Sequence, residues 1–209
     1  MDKYYVYRPF LNLLGKSEGT DKGDGYNETL GYGAYTGGNV ILTEMTLKQI
    51  DLLQTKMLDH PDNHWNSSAI GRYQIVRKTL RIIKSKLNIL DTAKFDTDMQ
   101  DRMACFLLGG RGIDLYLEGK MKEDDLMASL AAEWASLPTA SGKGFYKGQK
   151  ARVSVDEVRD VLAEVRSRYA LRDKPPVVQP VELPKINPWA AFIFAGLIGA
   201  AAFAAYILQ

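Results

Sequence analysis

Apolar positions recur along most of this chain at helical rather than strand spacing. Tyr7, Phe10, Leu11 and Leu14 share one face of a segment from Tyr4 to Leu14, which predicts an amphipathic helix packed into a core. Glu18 follows that segment and Gly19 is suited to ending it. A second helix is predicted in TLKQIDLLQTKML, where Thr46 and Gln49 have capping-box spacing and Leu47, Ile50, Leu53 (or Leu52) and Met57 share a side. Tyr73 to Leu87 reads as another amphipathic helix, with Ile75, Leu80, Ile82, Ile83 and Leu87 set among basic residues. Thr97 and Gln100 would cap DMQDRMACFLLGG, which ends in a glycine pair. A helical turn around Ile113 to Leu117 follows, and then Glu123 to Leu137, apolar at Leu126, Met127, Leu130, Ala131 and Trp134. Ser154 and Glu157 open a last helix that turns Val158, Val161, Leu162 and Val165 inward.

One stretch breaks the helical pattern. From Gly25 to Gly38 glycines alternate with tyrosines, and Val40, Ile41 and Leu42 follow. Short strands and tight turns are predicted there. The expected fold class is α+β: a mainly helical domain over residues 1–171 with one small β-element and no βαβ repeat.

Beyond residue 171 the pattern changes twice. RDKPPVVQPVELPKIN, residues 172–187, contains four prolines, and Pro188 follows. Prolines at that density exclude a helix and favour an extended stalk of about 3.1 Å per residue, roughly 50 Å in all. Trp189 to Leu208 is then twenty residues without a charge. A helix of that length spans roughly 30 Å, the thickness of a bilayer's hydrocarbon core. Trp189 and Tyr206 fall near its ends, where amphipathic rings favour the interface. The expected order is thus domain, stalk over 172–188, and a single transmembrane helix over 189–208. Ala191, Ala195 and Gly199 give the span a small-residue face suited to weak self-association. Lys185 precedes the span and no charge follows it, which leans toward a cytoplasmic domain.

Composition narrows the chemistry. The chain is 46% hydrophobic and 25% charged, the balance of a folded protein rather than a disordered one. A net charge of +2 gives little support to nucleic-acid binding. A single cysteine, Cys105, excludes an intrachain disulfide, and its apolar neighbours suit a buried hydrophobe. His60 and His64 have the spacing of a metal pair, yet they flank Pro61 and lack the glutamate of HExxH. No metal site and no cofactor are expected. The first ten residues hold charges and no long apolar run, so no cleavable secretory signal is expected.

The candidate chemistry lies at Ser17-Glu18-Gly19-Thr20-Asp21. A carboxylate leaving a packed helix into a glycine-rich loop is held rigidly on one side and faces open space on the other, which suits a general acid. Two further blocks follow in order: Gly71-Arg72-Tyr73-Gln74, and Trp134-Ala135-Ser136-Leu137-Pro138. Together the three blocks resemble the lysozyme-like endolysins of tailed phages, and among them the phage lambda type, a lytic transglycosylase. That family carries SEGTD around its catalytic glutamate, AGRYQ opening a helix on the cleft, and WASLPG before its last helices. In this chain Ile70 intervenes before GRYQ, and the resemblance covers roughly residues 5–168.

The resemblance implies that Glu18 protonates the glycosidic oxygen between N-acetylmuramic acid and N-acetylglucosamine of peptidoglycan, the implied partner. A lytic transglycosylase manages with this one glutamate, which then takes a proton from the sugar's own 6-hydroxyl. A hydrolase needs a second carboxylate or a positioned water. Asp21 is the candidate for that second role, and Asp24 and Glu28 also lie nearby. Thr29-Leu30-Gly31-Tyr32-Gly33 looks like the threonine-containing strand of hydrolytic phage lysozymes, so the reaction type stays open. Tyr73 and Gln74 would line the sugar cleft, and Tyr32 would offer a stacking ring. Arg72 would meet substrate carboxylates or form a structural ion pair, and Trp134 suits the core better than the cleft. The whole would be a lysin at the host inner membrane. A scaffold or wall-binding protein built on an inactive domain of this type is the alternative.

Overall fold

Phe10, Leu11 and Leu14 are fully buried, and each contributes roughly 1.5–3 kcal/mol through the surface it removes from water. They lie on α1 (Arg8–Glu18), which has a proline in its first turn and ends at Gly19 in the left-handed conformation. The computed structural model describes residues 2–171. Its remaining α-helices are α2 (Leu47–Leu58), α3 (Arg77–Lys86), α4 (Thr97–Gly110), α5 (Ile113–Leu117), α6 (Glu123–Glu133) and α7 (Val155–Ala170). α1 packs mainly on α7, and also meets α4, so the first helix runs through the centre of the domain.

The local signals in the sequence account for several boundaries. Thr46 and Gln49 form the expected reciprocal cap of α2, and Ser154 and Glu157 do the same for α7. α2 buries Leu47, Ile50 and Met57, while Leu52 is left exposed and Leu53 packs at the core's edge. At α4 the expected Thr97–Gln100 box is replaced. Asp96 caps the helix by accepting from the Met99 N–H at 2.8 Å. Gln100 is freed for the interior, where its amide donates to the carbonyls of Tyr26 at 2.9 Å and Phe95 at 3.0 Å.

The mainly helical expectation holds, but the β-element does not form strands. Pairing among the described residues amounts to isolated antiparallel bridges, Thr29 with Ile70, Ile70 with Ile75 and Thr46 with Lys94. Gly31, Tyr32 and Gly33 are consecutive left-handed residues, with φ of 66°, 55° and 86°. Such a run curls the chain and cannot continue a pleated strand.

The Gly71-Arg72-Tyr73-Gln74 block is likewise a turn, not a helix start. Gly71 and Gln74 have φ of 71° and 51°, and Ile70 and Ile75 exchange backbone hydrogen bonds across them. α3 therefore begins only at Arg77. The turn is locked in from several sides. Gln54, fully buried, donates to the carbonyls of Ser68 and Ile75 at 2.8 Å each. The Gly71 N–H donates to the Glu28 carbonyl at 2.7 Å. Gly71→Ala places a Cβ both in a strained backbone region and against the Gln100 side chain. It is expected to cost about 1–3 kcal/mol, seen as a lower urea midpoint with an unchanged m-value.

A buried carboxylate ties these parts together. Asp101 on α4 is 4% exposed and accepts from the hydroxyls of Tyr26 at 2.7 Å and Tyr73 at 2.5 Å. Arg8 of α1 pairs with it at 2.7 Å. Cys105, one turn further along, packs against the core, and burial pushes its thiol far above the ordinary range, consistent with an inert side chain. Among the described residues no helix is long and apolar enough to cross a membrane. The expected stalk and the span over 189–208 lie outside the described residues.

Candidate active site

Glu18 is the last residue of α1. The left-handed Gly19 turns the backbone away immediately after it, leaving the carboxyl at the helix end while the preceding turns stay in the core. A pocket opens there, walled by residues 18–20, by Glu28 to Tyr32, by Gln74, by Ala135 and Ser136, and by Lys150 and Arg152. All three sequence blocks thus contribute, together with the 28–32 turn and the loop before α7.

The pocket holds two carboxyl groups. Glu18 Oε1 lies 2.6 Å from Ser136 Oγ, and Arg152 donates to the Glu18 backbone carbonyl at 3.2 Å. Burial raises the Glu18 carboxyl above its ordinary value of 4.5, and the Ser136 hydrogen bond and the Arg152 charge offset this only in part. A carboxyl raised in this way keeps its proton to higher pH, as a general acid requires. Glu28, 7% exposed, stands on another wall. Backbone N–H groups fix both of its oxygens, Thr29 at one and Asp24 at the other, each at 3.0 Å.

The other expected site residues separate into two groups. Gln74 and Tyr32 line the pocket; Tyr32 is 60% exposed, which leaves its ring free to stack. Tyr73, expected in the cleft, is instead 2% exposed with its hydroxyl on Asp101. The turn explains the split, since its left-handed residues send Tyr73 into the core and leave Gln74 at the pocket. Asp21 and Arg72 are outside the pocket lining and engage each other. The guanidinium donates to both carboxylate oxygens, at 2.7 Å and 2.9 Å, and lies over the Tyr26 ring at 5.3 Å. Of the two roles weighed for Arg72, the structure shows the ion pair, and Asp21 is tied up as its partner. Trp134 is in the core at 3% exposure.

Sequence reasoning passed over Ser136, Lys150 and Arg152 as site residues. Ser136 was within reach, because it sits inside the Trp134–Pro138 block beside the residue read as core. Lys150 and Arg152 carry no local signal in a loop of glycines and lysines. Glu28 was weighed beside Asp21 and Asp24, and it is the one of the three that faces the pocket.

The search of curated proteins finds no match, and neither does the search of solved structures. The family model described as Endolysin matches residues 8–166, most of the chain and every pocket residue. The chain therefore belongs to the endolysin family, the lysins with which phages break down peptidoglycan.

Proposed function

We propose that this lysin cleaves the β-1,4 bond between N-acetylmuramic acid and N-acetylglucosamine, with Glu18 as general acid and then general base. The observation that carries this reading is a carboxyl raised by burial, in hydrogen bond with Ser136, on the wall of a pocket. In the first step Glu18 gives its proton to the glycosidic oxygen as the bond to the sugar's anomeric carbon breaks. Positive charge grows on the anomeric carbon and ring oxygen in an oxocarbenium-like state. Gln74 offers an amide for hydrogen bonding to an N-acetyl group, and Tyr32 offers a ring face to a sugar.

Glu28 favours hydrolysis as the second half of the reaction. Its oxygens are anchored by backbone N–H groups, so it is held on the pocket wall as either a nucleophile or the base for a water. Without its participation, the ionised Glu18 would take a proton from the sugar's 6-hydroxyl and leave an anhydro end. Mass spectrometry of products from purified wall distinguishes the two, since reducing ends mark hydrolysis and anhydro ends mark transglycosylation. Glu28→Gln is expected to lower hydrolytic turnover about 10²–10⁴-fold; unchanged turnover with anhydro products would assign the reaction to Glu18 alone. The same proposal takes residues 189–208 as an inner-membrane anchor, so the chain should sediment with membranes and lose that association when 189–208 is removed. Protease accessibility on spheroplasts would then decide the side of the domain.

A further inference from the structure

A three-membered chain of contacts runs from the Glu18 carboxyl into the core. Ser136 Oγ is 2.6 Å from Glu18 Oε1 and 2.9 Å from Ser17 Oγ. Ser17 Oγ in turn donates to the Leu14 carbonyl at 3.1 Å. Ser17 is fully buried, and Ser136 is 7% exposed where it lines the pocket, so water has little access to the Ser17 hydroxyl. The chain is held at both ends. Ser17 and Leu14 belong to α1, and the Ser136 carbonyl accepts from the Arg152 N–H at 2.8 Å.

The count of hydrogens shows what such a chain can do. Each serine has one hydroxyl hydrogen and can also accept. With Glu18 protonated there are three hydrogens for three contacts: Glu18 donates to Ser136, Ser136 to Ser17, and Ser17 to the Leu14 carbonyl. After Glu18 gives up its proton, Ser136 rotates and donates to the carboxylate, while Ser17 keeps the carbonyl. Rotation of one hydroxyl thus keeps the carboxyl hydrogen-bonded in either state, with no movement of heavy atoms.

We propose that Ser136 and Ser17 form a reversible hydroxyl chain that positions the Glu18 carboxyl in both of its protonation states. Ser136 is the positioning residue that touches Glu18, and Ser17 acts through Ser136. The proposal rests on the reading of Glu18 as acid and base, because only a carboxyl that cycles needs a partner able to reverse. The charged groups that face Glu18 are few. Arg152 and Lys150 come from the loop before α7 and Glu28 from the turn across the pocket, while Lys16 on α1 is engaged with Glu157.

The two serines make opposite predictions. Ser136→Ala removes the donor that lowers the Glu18 titration, so the titration moves up. Ser17→Ala removes the acceptor that Ser136 uses in the acid state, leaving the Ser136 hydrogen only the carboxylate to bond, so the titration moves down. The test is the carboxyl-carbon NMR titration of Glu18 in the full-length chain and in each variant, beside the pH profile of wall clearance. Ser136→Ala is also expected to lower kcat about tenfold with KM unchanged, the mark of a mispositioned group. If Ser136→Ala does not fold, the downward shift in Ser17→Ala carries the test alone. A Ser17→Ala titration that is unmoved, or that moves up, overturns the chain. Clearance retained by Glu18→Gln would instead overturn the reading of Glu18, and the NMR titrations would still judge the hydroxyl chain.

Discussion

Replacing Glu18 with glutamine is expected to abolish wall clearance while making the domain more stable at neutral pH. Glutamine keeps the shape and can still accept from Ser136, but it has no proton to give, and loss of general acid catalysis costs about 10²–10⁴-fold. The stability gain follows from burial. The folded-state carboxyl lies above its ordinary value of 4.5, so the native state holds its proton over a pH range in which the unfolded chain has lost it. Stability therefore falls as pH rises from 4.5 through the folded value, and the full penalty is present above both. Below 4.5 both states are protonated and the penalty vanishes. Thermal melts of wild type and Glu18→Gln across pH 4 to 8 should coincide at the acid end and separate with rising pH, the variant melting higher. A wild type as stable as the variant at pH 8 would mean that burial does not burden this carboxylate.

The second large effect is expected at Asp101, which is not among the residues that wall the pocket. Truncation to alanine removes the shared partner of Arg8, Tyr26 and Tyr73. Two hydroxyls then lose their acceptor, and Arg8 keeps Asp2, at 2.7 Å, as its remaining carboxylate. Breaking a buried pair in this way costs about 3–5 kcal/mol, or roughly 6–20 °C in melting temperature for a domain of this size. Asp101→Asn retains an acceptor oxygen and should lose less. Because Tyr73 lies in the turn that presents Gln74, activity should fall with temperature earlier in Asp101→Ala than in wild type. A melting temperature within 2 °C of wild type would show that the network contributes little beyond packing.

These cases also mark what could be read from the chain alone. The caps at Thr46 and Ser154 are settled within four residues, because a side chain bonds a backbone group of its own first turn. At Thr97 the same rule misplaced the cap by one residue. Asp96 competes for the same end, and Gln100 makes more bonds in the core than it would at the surface. The sequence could single out Glu18 as a candidate because three short blocks contribute to the pocket that it lines. Which acid shares the pocket was not legible: the sequence favoured Asp21, the nearest of the three to Glu18, but Arg72, fifty-one residues beyond it, pairs with Asp21, and Glu28 lines the pocket instead.

The periodicity of apolar residues thus determined where most helices lie and which faces they bury, since both depend on spacing of three or four residues along one segment. The three-block pattern determined the family and pointed to Glu18. Only the tertiary structure decided that GRYQ is a turn, that Tyr73 goes to the core while Gln74 stays at the pocket, and that Ser136 meets Glu18. Each of those outcomes depends on left-handed backbone or on contacts between residues dozens of positions apart. The energies of such contacts are set by what the fold brings together, and no local window of sequence contains them.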